Sequence, residues 1–316
     1  MEDWVEKYKN VTETLSEYGW FVAPFITGGE FMEIEKVCRK IEHSLIPSAD
    51  INTSINKVIS PVIFHPNFRA FSVYKAITTN HLNKFSHLID RATFHYYKKD
   101  FLSAISCLVP IVEGILLSHY GWHESSNVKK PSTIELINSF CSVPIRTLKP
   151  AAREVYSNAL EKCLKNWFFA NTKEFDFSNS FLNRHYIAHS LGNENFYSVL
   201  ECNRMFTILD LLSQIIVLDE FRNFIFIPEN EPFLDSRRDY YFNLISRRLT
   251  LKRMMEKESE LLKHNKYYVS IENDIDFQQI MIDDVKRIAD FHKEMDKKFG
   301  VSQKQKSIIN FFRKKH

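Results

Sequence analysis

The sequence is poor in glycine, with only 7 in 316 residues. Tight turns between strands repeatedly need the positive φ that glycine adopts most easily, so this shortage argues against a sheet-rich protein. Long stretches without glycine or proline are typical of helices. Hydrophobic residues make up 44% of the chain, with 27 Phe and 13 Tyr. That supply can fill a sizeable core, and we expect an all-α or nearly all-α protein.

The sequence also lacks CxxC cysteine pairs and long apolar runs of the kind that form membrane helices. The five cysteines are odd in number, and no two of them form a CxxC pair. Free thiols inside apolar helical patterns fit a reducing compartment, so we expect a cytoplasmic protein. The N-terminus, MEDWVEKYKN, is acidic and amphipathic, unlike a signal peptide. No uninterrupted apolar run approaches the roughly 20 residues of a membrane helix, and we expect no membrane partner.

An excess of one charge is missing as well, because 42 Lys and Arg face 39 Asp and Glu. A net charge of +3 does not by itself indicate nucleic acid. Residues 297–316, however, hold seven Lys or Arg and no Asp or Glu. This tail either contacts phosphates or an acidic partner, or is a solvated C-terminus. A second basic group is either an RNA-binding surface or a solvated helix face, and consists of Arg237, Arg238, Arg247 and Arg248.

Helical periodicity divides the chain into three predicted parts. Residues 1–80 form an N-terminal helical extension, in which residues 48–68, with two prolines, are predicted to be an irregular connection. Residues 81–225 form a helical bundle. Residues 226–316 are charged and mainly helical, with a strand at 267–271 and the basic tail. The predicted bundle helices span 81–98, 100–120, 133–140, 151–170 and 195–224. Asp100 is the expected N-cap of the second, and Gly121 lies just past its end. A short helix capped by Ser178 or Asn179 is predicted to end near Gly192, and a further helix is predicted near 277–299.

The stretch NRHYIAHS, residues 183–190, carries the clearest chemistry. His185 and His189 are four apart, so they share one face of a helix. Arg184 lies about 100° round from His185. Arginine binds phosphate oxygens and is permanently charged, and histidine exchanges protons near neutral pH. These three residues therefore suit phosphate chemistry. A second pair with the same Arg-to-His spacing, Arg287 and His292, lies in a charged helix, and we take it as a coincidence.

These residues resemble the HEPN (higher eukaryotes and prokaryotes nucleotide-binding) superfamily. Its catalytic motif is Arg, a polar residue, three to five further residues and His, which Arg184, His185 and His189 match. The upstream segment LSAISCLVPIVEG is similar to the family's second helix, where small residues precede PxxEG. A long apolar helix after the motif is also typical. Ser190 stands where many relatives have Gly, and the resemblance covers about residues 81–225.

The resemblance implies an antiparallel bundle that forms a homodimer, with two motifs at one cleft. It implies an endoribonuclease that needs no metal and no cofactor. His189 would assist proton transfer at the RNA 2′-hydroxyl, Arg184 would stabilise charge on the phosphorus, and His185 would orient the pair or contact RNA. Stand-alone relatives are often toxins or antiphage abortive-infection effectors, and an antitoxin or regulatory partner is then expected.

Two residues are predicted to support the motif. Glu113 lies close to the apolar face of its helix, where a carboxylate needs a partner. Arg184 is the partner we expect, and the pair either positions the site or only holds two helices together. Asn183, directly before the arginine, is the second supporting residue.

Three other interpretations stay open. A HEPN-like domain can serve only as a dimerisation or nucleotide- or RNA-binding module, although such domains often lose the Arg or His that this chain keeps. Histidines four apart also suit a metal site, but Tyr186 stands where a zincin has Glu, and no third ligand is evident. A helical regulator could bind DNA through the basic tail, although no recognition-helix signature is present.

Overall fold

The computed structural model of the protein is all-α, as predicted. It describes residues 2–22, 28–122, 129–142, 150–173, 182–189, 191, 194–220 and 231–247, with Lys286, Asp290 and Lys293. These residues contain eleven α-helices and no strand. The helices are α1 (Glu2–Ser16), α2 (Gly28–Glu42), α3 (Ile51–Ile63), α4 (Pro66–Thr78), α5 (Ser86–Tyr97), α6 (Phe101–Tyr120), α7 (Thr133–Cys141), α8 (Pro150–Cys163), α9 (Arg184–Ala188), α10 (Val199–Asp219) and α11 (Pro232–Ser246).

The chain divides into two compact units, Met1–Asp274 and Ile275–His316. In the first unit, α10 is buried continuously from Glu201 to Val217 and contacts α3, α4, α6 and α8. A helix enclosed on every side needs partners for its polar groups, and Asp210, for example, accepts a hydrogen bond from Arg69. In the second unit, the three described residues are helical, and Lys293 Nζ lies 3.0 Å from Asp290 Oδ1.

Several helix ends follow the local rules that predicted them. The side chain of Asp100 caps α6 by accepting the Ser103 N–H at 3.1 Å. The same helix ends at Gly121, whose φ of 80° lies in the left-handed region that favours glycine. α7 begins with a reciprocal capping box between Ser132 and Glu135.

Residues 48–68 are helical except for a two-residue turn at Phe64 and His65, so the predicted irregular connection is wrong. A 3₁₀ turn at Ser48–Asp50 leads directly into α3. Pro61 lies in the last turn of α3, and Pro66 occupies the first turn of α4. The N–H groups of the first helical turn have no partner within the helix, so the N–H that proline lacks is not missed there. Pro66 therefore begins a helix here rather than ending one. His65 completes the start of α4, because its Nδ1 accepts the Asn67 N–H at 3.3 Å.

Helix α6 is more apolar than predicted. By length and composition alone this helix is apolar enough to cross a membrane, a test that the core helix of a globular protein also passes. Nine of its twenty residues are buried, and it contacts α5, α7, α9 and α10. α6 therefore brings Glu113 next to α9.

All five cysteines are free thiols, as predicted. Four are buried and Cys107 is partly exposed. Burial raises the pKa of Cys38 to about 12, which keeps this thiol protonated and unreactive at neutral pH. The predicted strand at 267–271, most of the predicted helix near 277–299 and the tail at 297–316 lie outside the described residues.

Candidate functional site

The motif lies on α9, a helix of only five residues, Arg184–Ala188. A helix this short has little stability of its own and must be held by its neighbours. Asn183 holds its start, because Oδ1 accepts the N–H groups of His185 at 3.0 Å and Tyr186 at 3.4 Å. Asn183 has an extended backbone, with φ −121° and ψ 118°. In the structure the helix that carries the motif is capped by Asn183 and ends at Ala188, whereas the predicted cap at Ser178 or Asn179 and the predicted end near Gly192 lie outside the described residues.

Asn183 also ties α9 to the end of α8. The residue is fully buried, and its Nδ2 donates to Ala170 O at 3.0 Å and to Trp167 O at 3.4 Å. α8 runs into a π-helical turn at Leu164–Phe168, and Trp167 lies within this turn whereas Ala170 follows it. π-turns are rare and are often found at functional sites. One buried amide thus uses both its acceptor and its donor to fix the motif.

The predicted pairing of Arg184 with Glu113 is present in the structure. Arg184 Nη1 lies 3.1 Å from Glu113 Oε2, and the two side chains are 33% and 28% exposed. The ring of Phe169 covers the guanidinium, with 5.2 Å between its centroid and Arg184 Cζ. A guanidinium has five N–H donors. Among the described residues, Glu113 accepts from one of these donors, and no acceptor is found there for the others.

Gly114 explains why glycine follows the glutamate in this helix. A Cβ built at Gly114 would lie 2.6 Å from Cε1 of Phe85, which is closer than real Cβ atoms approach. The absence of a side chain therefore lets the Phe85 ring pack against α6 directly beside Glu113. The sequence analysis missed both Phe85 and Phe169, because no local pattern links either ring to the motif.

His185 and His189 form a second pair on the outer side of the motif. Both side chains are exposed, and their ring centroids lie 4.5 Å apart. His189 directly follows α9, and its N–H donates to His185 O at 3.1 Å. Arg184 makes its side-chain contacts with α6 and Phe169 rather than with either imidazole. The structure therefore places two pairs side by side on α9, an ion pair turned towards α6 and an exposed pair of imidazoles.

Two members of the basic group, Arg237 and Arg238, lie on α11 and form ion pairs. Arg237 Nη2 lies 2.7 Å from Asp90 Oδ2, and its guanidinium lies over the rings of Phe94 and Phe233. This arrangement joins α11 to α5 and gives Arg237 a structural role. Arg238 lies 3.1 Å from Asp235 Oδ1 and 3.4 Å from Asp239 Oδ1. Arg247 is exposed, and Arg248 lies outside the described residues.

A cleft of about 220 Å³ lies between α1 and α8, separate from the motif. Its lining includes Thr12, whose buried hydroxyl has no hydrogen-bond partner, and Lys162, which is paired with Glu17. Over the part of the chain that the structure describes, no group of three or more His, Cys, Asp or Glu residues could hold a metal ion.

No protein-family model, curated protein or solved structure matches this chain. The resemblance to HEPN domains therefore depends on the motif, the PxxEG segment and the helical setting alone. What the protein does has to be inferred from the chemistry of α9 and its neighbours.

Proposed function

We propose that the protein is a metal-independent endoribonuclease of the HEPN type, with Arg184, His185 and His189 as its catalytic residues. The observation that carries this proposal is the arrangement on α9. A partly exposed guanidinium is anchored by Glu113 at 3.1 Å. The exposed imidazoles of His185, the next residue, and His189 follow it, with their centroids 4.5 Å apart. Such a guanidinium can offer its other N–H groups to a phosphate, and the imidazoles can move protons.

In the proposed reaction, His189 takes the proton of an RNA 2′-hydroxyl. The 2′-oxygen attacks the adjacent phosphorus, a new P–O bond forms, and the bond to the 5′-oxygen of the next nucleotide breaks. Arg184 stabilises the charge that develops on the phosphate oxygens. His185 orients His189 or contacts the RNA. The departing 5′-oxygen takes a proton from the solvent, and His189 returns the proton that it took from the 2′-hydroxyl to the solvent, so the products are a 2′,3′-cyclic phosphate and a 5′-hydroxyl.

We further propose that two copies form a homodimer with a shared cleft. His189 is five positions after Arg184, which corresponds to about 140° around a helix. Arg184 turns towards α6, so one motif alone does not direct both groups at one phosphate, and a second motif across a two-fold axis supplies the missing one. Leu191, two residues after His189, is 60% exposed and offers apolar surface for such a contact.

The biological role that we propose is that of a cytoplasmic toxin or antiphage effector, which cuts RNA and is restrained by an antitoxin or regulatory partner. The resemblance to stand-alone HEPN proteins is its sole support. Arg237, Arg238, Arg247 and Arg248 stay as candidate RNA contacts. Arg247, which is exposed, is the most accessible of the described three.

The test is cleavage of end-labelled RNA by purified protein in excess EDTA. Wild type should cut, and Arg184→Ala and His189→Ala should each lose roughly 100-fold or more of the rate. His292→Ala, from the second Arg-to-His pair, is the matched control and should cut normally. Intact RNA with wild type, or equal rates for Arg184→Ala and wild type, would contradict the proposal.

A mixing experiment tests the shared cleft. Arg184→Ala and His189→Ala chains, each inactive, are combined and allowed to exchange subunits. If each site takes its arginine from one chain and its histidine from the other, the mixture should recover about a quarter of the wild-type rate. A mixture that stays inactive, although exchange is complete, excludes that arrangement.

The alternative is a HEPN-like module that binds RNA or nucleotide, or only dimerises, without catalysis. The observation that favours it is the Arg184–Glu113 ion pair, because this pair joins α6 to α9 and can hold the two helices together whether or not a reaction takes place. RNA that is bound by wild type and left uncut, under conditions where the protein is folded, would support this function.

A further inference from the structure

We propose that Phe169 is a positioning residue for Arg184, and that its ring and the Glu113 carboxylate together hold the guanidinium in one orientation. The contact itself is independent of what the protein does. Its consequence for catalysis rests on the proposed ribonuclease function. The two experiments below separate these claims.

A single hydrogen bond does not fix a guanidinium. Glu113 contacts Nη1 alone, at 3.1 Å, so the group can still rotate about that contact. Hydrogen bonds act in the plane of the guanidinium, whereas an aromatic ring attracts it through its face. The Phe169 centroid lies 5.2 Å from Arg184 Cζ, within the range of that attraction. Carboxylate and ring therefore restrict different motions, and the remaining in-plane donors stay open to a phosphate.

The Phe169 ring is itself well anchored. The Phe169 N–H donates to Leu164 O at 2.8 Å, which closes the π-helical turn. The neighbouring ring of Phe168 is fully buried and meets the Phe169 ring edge-on, with 4.8 Å between centroids. The backbone and one neighbour thus fix the ring, while Phe169 itself stays partly exposed beside Arg184.

The π-turn connects to Arg184 by a second route. The carbonyls of Trp167 and Ala170, on either side of Phe169, accept from Asn183 Nδ2. Asn183 in turn caps the helix that begins at Arg184. The end of α8 therefore sets both the backbone of Arg184, through Asn183, and its guanidinium, through Phe169. Such double attachment is what pre-organisation of a charged catalytic group requires.

The first experiment observes the arginine side chains by NMR after ¹⁵N-arginine labelling, and Arg184→Lys assigns the Arg184 Nε–H signal. In wild type this signal should be shifted upfield by the ring and should report a restrained group. Phe169→Leu should abolish both properties, and Phe169→Tyr should keep them. The control is Phe101→Leu, which removes a ring 5.8 Å from Lys99 Nζ at the start of α6. A Phe169→Leu signal identical to wild type in shift and mobility overturns the proposal.

The second experiment measures RNA cleavage. Phe169→Leu should lower kcat by roughly 3- to 30-fold, the range that a lost cation–π contact supports, with KM within about two-fold of wild type. Phe169→Tyr should restore kcat, and Phe101→Leu should leave it unchanged. If wild type cuts RNA and Phe169→Leu cuts it equally fast, the positioning role is refuted. If wild type cuts no RNA, the ribonuclease function fails, and the NMR result alone decides whether Phe169 holds Arg184.

Discussion

Asn183 is the residue whose removal should most directly loosen α9. In Asn183→Ala the helix loses its N-cap, a change that typically costs about 1 kcal/mol. Trp167 O keeps the Ala170 N–H at 3.2 Å as a donor, but Ala170 O loses its donor at 3.0 Å. This acceptor is partly buried, and the loss of its hydrogen bond costs about 1 kcal/mol. The free energy of unfolding should therefore fall by about 2 kcal/mol.

The assay is urea unfolding followed by circular dichroism, with the m-value checked for an unchanged transition. Ser132→Ala is the matched control, because Ser132 is an exposed N-cap at α7 and its loss should cost only about 1 kcal/mol. Asn183→Asp keeps the cap acceptor, but it places a buried carboxylate against the carbonyl oxygens of Trp167 and Ala170. This uncompensated negative charge should make it at least as unstable as Asn183→Ala. A stable Asn183→Asp, or an Asn183→Ala variant no weaker than Ser132→Ala, would refute this reasoning.

Three further predictions concern the surrounding fold. Arg69→Ala strands a buried carboxylate and should lower the free energy of unfolding by about 3–5 kcal/mol, whereas Arg39→Ala, from an exposed pair, should cost less than about 1 kcal/mol. Similar losses in urea unfolding would contradict this. Burial lowers the pKa of His119 to about 4, so the unfolded chain takes up its proton first, and stability should decline as the pH falls from about 6.5 to 4, by about 2–3 kcal/mol. His119→Leu should lose that part of the pH dependence, and an unchanged slope would show that the group titrates normally. Gly114→Ala gains about 1 kcal/mol of helix propensity but displaces the Phe85 ring. A double-mutant cycle with Phe85→Ala should therefore give an unfavourable coupling energy of about 1–3 kcal/mol between the two positions. A coupling energy of zero would mean that the ring moves aside freely.

Local rules predicted the parts of the fold that depend on neighbouring residues. The cap at Asp100, the end of α6 at Gly121 and the start of α7 after Ser132 each depend on residues within one helical turn. The pairing of Glu113 with Arg184 was also predictable, because an acidic side chain near an apolar face needs a cationic partner.

The same rules failed where a residue acts in either of two ways. Proline ends most helices but suits the first turn, and Pro66 begins α4. Asn183 could be recognised as part of the motif, whereas its double role depends on carbonyls supplied by α8.

The contacts of Phe85 with Gly114 and of Phe169 with Arg184 join segments that are distant in the sequence. Only the packing of the helices brings these residues together, and no periodicity or spacing in the sequence predicts these contacts. Even the π-turn that presents Phe169 has no recognised sequence signal here. The sequence therefore predicted the motif residues of the candidate site and the partner of Arg184, but not the aromatic rings that pack beside them.

The central claim is that an internal 2′-hydroxyl attacks the phosphate while Arg184 and His189 assist. The most direct measurement is the chemical nature of the RNA ends that wild type produces in EDTA, determined by mass spectrometry. We predict 2′,3′-cyclic phosphate and 5′-hydroxyl ends, and no cleavage where the attacking nucleotide carries a 2′-deoxy substitution. Ends with a 5′-phosphate and a 3′-hydroxyl, or equal cleavage of the 2′-deoxy substrate, would contradict the mechanism.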